Sequence, residues 1–183
     1  LTPADLERIA EIRTSYLPRR TGQPLAEVGL DDFQLTTPEG TFWLTNTMDE
    51  CSRVVPAIGI STRKPTAAWT AQVVGCLPEG VSALRYDTEP IHGPRLERAL
   101  YRRGISPLPT EHGCRDNHMV ERVHRTLRPL ILAEAHQDPD AGIEAHVRRA
   151  LRVYHRRYHR GLGDVPARYS PALCRNPIII CRI

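Results

Sequence analysis

The chain has 183 residues, of which 25 are basic and 21 acidic, so its formal charge at pH 7 is +4. A composition of 40% hydrophobic and 25% charged residues excludes a disordered or collagen-like protein, and the length suits one domain with appendages. No apolar run approaches the roughly 20 residues of a membrane-spanning helix. The first residues lack the basic start and apolar stretch of a signal peptide. We therefore expect a cytoplasmic protein with no membrane partner.

The five cysteines are odd in number, scattered, and contain no Cys-x-x-Cys pair. This usage favours reduced thiols over a disulfide framework or a zinc ribbon. His112, Cys114 and His118 lie close together in the sequence, but their spacing matches no standard zinc site.

Short elements can be assigned in chain order. A helix is predicted over 3–15, followed by a breaker-rich linker over 17–24. Strands are predicted over 28–35, 41–48 and 54–60, and the short turns between them are typical of an antiparallel meander. Pro56 places the third strand at an edge or a bulge.

Helices and strands then alternate. We expect a helix over 66–77, a strand over 81–86, a helix over 94–103 closed by Gly104, and a strand over 105–108. The chain reads as helical from 115 to about 160, interrupted at Pro129 and over 137–142. Three antiparallel strands followed by this alternation predict an α/β fold with a mixed five-stranded sheet.

Three acidic residues stand where elements begin or end: Asp31 on the first strand, Asp87 after the fourth, and Glu121 early in a helix. Residues at strand ends of an α/β sheet are placed for chemistry. Three converging carboxylates would hold hard divalent cations, and a pair of such ions promotes phosphoryl displacement. Because the chain has 21 acidic residues, spacing alone does not single these three out.

Several motifs resemble the integrase catalytic core of insertion-sequence transposases and retroviral integrases. Asp49-Glu50-Cys51-Ser52-Arg53 resembles the family's Asp-x-x-Ser-Arg motif, and counting back by the family's spacing reaches Asp31. Leu84-Arg85-Tyr86-Asp87 resembles the second catalytic position. The segment 113–121 resembles Gly-x-x-Asp-Asn-x-x-x-Glu, with Glu121 lying 121 − 87 = 34 positions after Asp87. Similar closing motifs at 158–162 and 170–172 extend the resemblance over about 26–173.

The resemblance implies a ribonuclease-H-like core over 26–136, preceded by a helix and linker over 1–25 and followed by a basic helical extension over 137–183. It implies a DDE polynucleotidyl transferase in which Asp31, Asp87 and Glu121 are catalytic and bind Mg²⁺ or Mn²⁺. Register favours Asp31 over Asp32 as the first of these. The implied partners are double-stranded DNA, as transposon ends and target, and further copies of the chain, with a location at the nucleoid.

The sequence departs from the family pattern in three places. Thr88-Glu89-Pro90 follows the second Asp where Asn-Gly or Arg-Gly is usual, and Phe33 stands where Thr is favoured. The first 25 residues are too few for the upstream helix-turn-helix domain, so a catalytic fragment or a decayed copy is expected. Two alternatives to the transposase therefore stay open: a degenerate DNA-binding remnant, and a ribonuclease-H-like nuclease that performs no strand transfer.

The placement of charge agrees with a DNA partner. Residues 1–83 hold 7 basic and 10 acidic side chains, whereas residues 84–183 hold 18 arginines and 11 acidic side chains. Glu121, Arg125 and Arg128 share one helix face, which suits a phosphate backbone, although an intrahelical Glu–Arg pair is the alternative. In the next helix the expected DNA contacts are Arg148, Arg152 and Arg156, with a solvated face as the alternative.

Other residues have structural interpretations. We expect Asp49 and Arg53 to form a structural turn through an Asp–Arg pair. Asp116 and Asn117 are expected to cap the helix of Glu121. His118 and His124 are expected at the surface, and the two tryptophans in the core.

Overall fold

The computed structural model describes residues 23–87, 94–110, 118–159, 165–166 and 179–182. The predicted first helix, the Thr88-Glu89-Pro90 departure, and the expected cap residues Asp116 and Asn117 lie outside these residues, as does most of the closing motifs.

The described residues contain the predicted meander, the alternating segment and the paired helices. The strands are β1 (Glu27–Thr37), β2 (Gly40–Asp49), β3 (Ala57–Ser61), β4 (Ala83–Asp87), β5 (Ser106–Thr110), β6 (Tyr158–His159), β7 (Val165–Pro166) and β8 (Ile179–Arg182). The helices are α1 (Ala67–Gly75), α2 (Pro94–Arg102), α3 (His118–Gln137) and α4 (Gly142–Arg156). None of the helices among the described residues is long and apolar enough to cross a membrane.

The main sheet has the order β5-β4-β1-β2-β3-β8. Strands β1, β2 and β3 are antiparallel, whereas β4 runs parallel to both β1 and β5. This confirms the predicted mixed α/β sheet of five strands. The sheet gains a sixth strand, because β8 pairs in parallel with β3, with Ile179 opposite Ala57. Nothing in the local sequence pattern indicated this pairing, which joins residues far apart in the chain.

Alternation along β1 divides the core into two layers. Val28 and Leu30 pack with α1 and α2 on one face of the sheet. Phe33 and Leu35 pack with α3 and α4 on the other face. Odd-numbered residues of β1 therefore face α3 and α4, and even-numbered residues face α1 and α2.

Gly59 of β3 allows α1 to approach the sheet closely. A Cβ atom added at Gly59 would lie 2.5 Å from Cγ2 of Val73 and 2.6 Å from Cζ2 of Trp69. Both of these α1 side chains are buried. Trp69 is thus a core residue as expected, while Trp43 is half-buried beneath Lys64.

The Asp49–Arg53 segment is a structural turn, as predicted, but Asp49 is held by N–H and O–H donors. Its Oδ1 accepts from the backbone N–H of Leu25 (3.1 Å) and Cys51 (3.2 Å). Its Oδ2 accepts from the backbone N–H of Ser52 at 3.1 Å and from the Ser52 hydroxyl. The ion pairs between described residues do not include Asp49–Arg53, so the predicted side-chain pair is not what closes the turn. Instead, the Arg53 N–H donates to the Asp49 carbonyl at 2.9 Å.

Two local predictions need correction. Strand β3 starts at Ala57, because the Val54 carbonyl accepts from Asp49 at 2.8 Å and the Val55 N–H donates to His155. Helix α3 continues through Pro129. Pro129 and Arg125, whose carbonyl loses its helical donor, are both exposed, so water can supply the missing hydrogen bond.

The expectation of reduced thiols is also corrected at one position, because Cys76 is disulfide-bonded. Such pairing depends on tertiary proximity, which the spacing of cysteines along the chain does not reveal.

Candidate active site

The register of β1 and β4 brings Asp31 and Asp87 to neighbouring positions. Val28 lies opposite Leu84 and Gly29 opposite Arg85, an offset of 84 − 28 = 56 residues. The recorded pairing ends at Gly29 and Arg85; carrying the same offset two residues further would bring Asp31 level with Asp87, since 31 + 56 = 87. Asp31 lies in the middle of β1 rather than at a strand end as predicted, and Asp87 is the last residue of β4. Because Leu30, Leu84 and Tyr86 pack toward α1 and α2, alternation places both carboxylates on the opposite face of the sheet.

The pKa of the Asp31 carboxyl is raised. It is partly buried, and its Oδ1 accepts the backbone N–H of Asp32 at 2.8 Å. Burial raises the pKa of Asp31 to about 7, and repulsion from Asp32, Glu121 and Asp87 adds to the rise. The Asp32 N–H acts in the opposite direction. Asp31 is therefore electrostatically coupled to both of the other predicted acids.

Glu121 reaches this region from the first turn of α3. The helix packs against β1 and β2 through Val120, Val123 and Leu127, which belong to the same core cluster as Phe33. Glu121 itself is half-buried. Three separate elements thus carry Asp31, Asp87 and Glu121 to one side of the sheet.

Asp32 belongs to the other face. Its Oδ1 accepts a hydrogen bond from the Thr45 hydroxyl. The Thr45 oxygen in turn accepts from Nε1 of Trp69 at 3.0 Å. Asp32 is therefore tied to the α1 layer, whereas Asp31 faces α3.

His124 was expected at the surface but is buried, with 9% of its area exposed. Its Nε2 is in hydrogen-bond contact with the Asn46 side-chain oxygen, and its ring lies 4.4 Å from the Phe33 ring. Burial, with a smaller contribution from Arg128, lowers the pKa of His124 to about 3, so the imidazole is neutral at pH 7.

The burial of His124 could have been anticipated from helical spacing. Val120, Val123 and Leu127 define the inner face of α3, and position 124 lies on that face. Asn46 and Asp31 face each other across β1 and β2, which is why one imidazole reaches both.

The predicted arginines differ in their surroundings. Arg125 and Arg128 are exposed, and the Arg128 guanidinium lies over the Phe33 ring at 5.5 Å. Among described residues no ion pair joins Glu121 to Arg125, so the intrahelical alternative is not observed. On α4, Arg148 pairs with Glu144 at 2.9 Å, whereas Arg152 and Arg156 are exposed.

The donor set suits a hard cation, although the side chains are not arranged as a ready-made cage. Within the described ranges, no group of three or more His, Cys, Asp or Glu side chains has the arrangement of a metal site. The three carboxylates are nevertheless oxygen donors of the kind that Mg²⁺ takes. Their mutual repulsion, recorded at Asp31, is what a bound cation would offset.

No protein-family model and no curated protein matches the sequence. Solved structures do match the fold. A chain of the simian T-cell lymphotropic virus intasome, in complex with PP2A regulatory subunit B56 gamma, has a TM-score of 0.67 at 16% identity over 76% of this chain. The match spans 51% of that chain, about half its length.

Two integrase catalytic cores align over most of their own length. The BIV integrase core has a TM-score of 0.62 at 20% identity, covering 78% of this chain and 90% of that one. The HTLV-2 integrase core, in a trimeric form with magnesium, has a TM-score of 0.63 at 14% identity, covering 79% and 94%. The chain therefore has the ribonuclease-H-like fold of an integrase-type catalytic core.

Proposed function

We propose that the chain is the catalytic core of a DNA transposase or integrase, which hydrolyses a phosphodiester and transfers the freed 3′ end to target DNA. The observation that carries the proposal is the coupling of Asp31 to both Asp87 and Glu121 on three separate elements. The integrase-type fold supports it, since an HTLV-2 core of that fold is described with magnesium.

Asp31, Asp87 and Glu121 would hold Mg²⁺ or Mn²⁺ through carboxylate oxygens. When bound, two such ions would stabilise the attacking and leaving oxygens of an in-line displacement. The chain's own residues supply positioning. His124 contacts Asn46 and lies beside Asp31, and so holds α3 against β1 and β2. The exposed Arg125 and Arg128 extend from Glu121 along the helix and suit phosphate contacts that orient the strand.

The substrate we propose is double-stranded DNA, as an element end and as a target, handled by more than one copy of the chain. The excess of 18 arginines over 11 acidic residues in 84–183 favours a polyanion. Arg152 and Arg156 on α4 would add sequence-independent contacts, while Arg148 would first have to leave Glu144.

The test is the incubation of the full chain with supercoiled plasmid and a pre-cut duplex end in Mg²⁺ or Mn²⁺. We expect nicked and joined products, and a loss of at least about 100-fold in Asp87→Asn and Glu121→Gln, because each removes a charged ligand. Calorimetric titration of Mn²⁺ supplies a second readout. Binding that is unchanged by Asp87→Asn would contradict the proposed site.

A second candidate is a non-catalytic DNA-binding remnant. It is favoured by the absence of a preformed three-residue metal group in the described part of the chain, and by Thr88-Glu89-Pro90 after Asp87. It predicts DNA binding with no Mn²⁺ binding and no products. A nuclease without strand transfer predicts nicked plasmid with no joined product, so one assay separates all three.

A further inference from the structure

A groove of about 430 Å³ lies between α1 and α2, on the side of the sheet opposite α3 and α4. Three arginines of α2 line it: Arg95, Arg98 and Arg102. The remaining lining residues have small side chains, Ala71 on α1 and Ala99 on α2, and so leave space between the helices. The groove is thus walled by guanidinium groups from one helix.

Helical spacing places these arginines on one stripe. At about 100° per residue, the three positions fall within an arc of about 60°. All three are exposed, and none takes part in an ion pair with a described residue. The Nε of Arg98 donates to the Pro94 carbonyl at 3.1 Å, which orients that side chain along its own helix.

The other charged residues of this segment face elsewhere. Glu97, the acidic residue of α2, is half-buried and lies near Tyr86, and burial together with the Glu97 carboxylate raises the pKa of Tyr86 to about 12. Arg103, one residue beyond the helix, donates to the carbonyls of Val74 and Leu77 (2.7 Å) at the end of α1. Neither residue neutralises the stripe or contributes to it.

We infer that this arginine groove binds the phosphodiester backbone of a nucleic-acid strand, as a second contact surface separate from the face of Glu121. The inference rests on the proposed function, in which DNA is the substrate. The three arginines span about 10 Å along the helix axis. With their long side chains they can contact two or three successive phosphates of one strand. The planar guanidinium group of arginine can also donate two parallel hydrogen bonds to the oxygens of one phosphate.

Two further features favour a nucleic acid over an acidic protein surface. Tyr101, one position before Arg102, is 65% exposed, and an exposed aromatic ring beside arginines is typical of strand-binding surfaces. The helix also follows β4, the strand that ends in Asp87, after a connection of six residues over 88–93. The groove is therefore close in sequence to Asp87, although it lies on the face of the sheet opposite α3.

The experiment measures the anisotropy of a fluorescein-labelled 30-base-pair duplex bound by the full chain at several salt concentrations. The groove variant carries Arg95→Gln, Arg98→Gln and Arg102→Gln together. A matched control carries Arg63→Gln, Lys64→Gln and Arg157→Gln, three exposed positions that remove the same charge. Thermal melts establish that both variants are folded.

We expect the groove variant to bind at least about 10-fold more weakly at low salt. The slope of log affinity against log salt should fall by two to three units, since each lost phosphate contact removes about 0.9. The control should change the slope by less than one. Arg95→Lys, Arg98→Lys and Arg102→Lys together should retain most of the binding. Equal losses in groove variant and control would overturn the inference, as would tighter capture of polyglutamate than of the duplex.

The outcome is separable from that of the proposed function. Asp87→Asn combined with Glu121→Gln removes the proposed chemistry but leaves the groove intact. If the unaltered chain shows no cleavage and the groove variant still lowers DNA binding, the enzymatic proposal fails and the groove stands. If the unaltered chain cleaves and joins DNA while the groove variant keeps the full salt slope, the groove inference fails alone.

Discussion

The Nδ1 atom of His124 lies 3.6 Å from the Oδ2 atom of Asp31. This contact joins α3, which carries Glu121 one turn earlier, to the strand that carries Asp31. Because burial holds the pKa of His124 at about 3, the ring is neutral and the contact is not an ion pair. The separation exceeds hydrogen-bonding distance, so the firm polar contact of the ring is the one with Asn46.

Replacing His124 by Ala should lower the free energy of unfolding by about 2–3 kcal/mol. The change leaves the buried Asn46 side chain without this partner and opens space beside Phe33. Urea denaturation measures the loss. His136→Ala, at an exposed position of the same helix, is the control and should change stability by less than about 0.5 kcal/mol. Equal effects of the two would contradict the anchoring role of His124.

Replacing Asp49 by Ala should destabilise the fold by about 3 kcal/mol or more. The carboxylate is fully buried and accepts hydrogen bonds from Leu25, Cys51 and Ser52, which would lose their acceptor together. Ser52→Ala removes one hydroxyl donor and should cost about 1 kcal/mol. The comparison by chemical denaturation tests whether the motif acts in folding; a stable Asp49→Ala protein would show that it does not.

Glu50 should make stability depend on pH. Burial and the nearby Glu27 raise its pKa from 4.5 to about 7, against the opposing attraction of Arg85 and Arg53. Between pH 4.5 and 7 the folded state then binds more protons at Glu50 than the unfolded state does. This residue's contribution to stability is therefore greatest below about pH 4.5 and falls as pH rises through 7.

Glu50→Gln removes that titration. Relative to the unaltered protein, the variant should gain up to about 3 kcal/mol between pH 4.5 and 8, at about 1.4 kcal/mol per unit of pKa. Urea titrations at several pH values measure the difference. If attraction to the Arg85 Nε, 3.3 Å from the Glu50 Oε1, outweighed burial, the variant would lose relative stability as pH rises.

Gly59→Ala should destabilise the protein by about 1–3 kcal/mol, because the added methyl group overlaps Val73 and Trp69 in a closely packed layer. Gly75→Ala is the matched control. Apart from its chain neighbours and the backbone of its own helix, no described atom lies within 4 Å of a Cβ added there. The position ends α1, so the change should be neutral or stabilising by up to about 1 kcal/mol. Thermal melts of both variants test the contrast.

The sequence pattern within each segment was sufficient to predict most helices and strands, because apolar periodicity and turn residues act over short distances along the chain. Alternation of apolar residues predicted β1 and β2, and Gly104, which takes a positive φ of 68°, marked the end of α2. The prediction that the helix is interrupted at Pro129 was wrong, because a proline's effect depends on whether water reaches the carbonyl one turn earlier. That exposure is a property of the folded surface. The burial of His124 follows from its helical spacing, but its contacts with Asn46 and Asp31 could not be predicted because those residues lie on other elements.

Periodicity and turn chemistry act over a few residues, so they were enough to predict the order of strands and helices and the α/β class. They were wrong about Asp31, which lies in the middle of β1 and not at an element end. Which side chains lie close together depends on the packing of the folded chain. Repulsion from Glu121 on α3 and Asp87 on β4 adds to the burial that raises the pKa of Asp31, and β8 joins β3 across the chain. Packing of α2 against α1 also leaves its three arginines lining one groove. Glu97 lies near Tyr86 and Arg103 donates to α1, so neither faces that groove. These relationships depend on distances through space, which residue order does not encode locally.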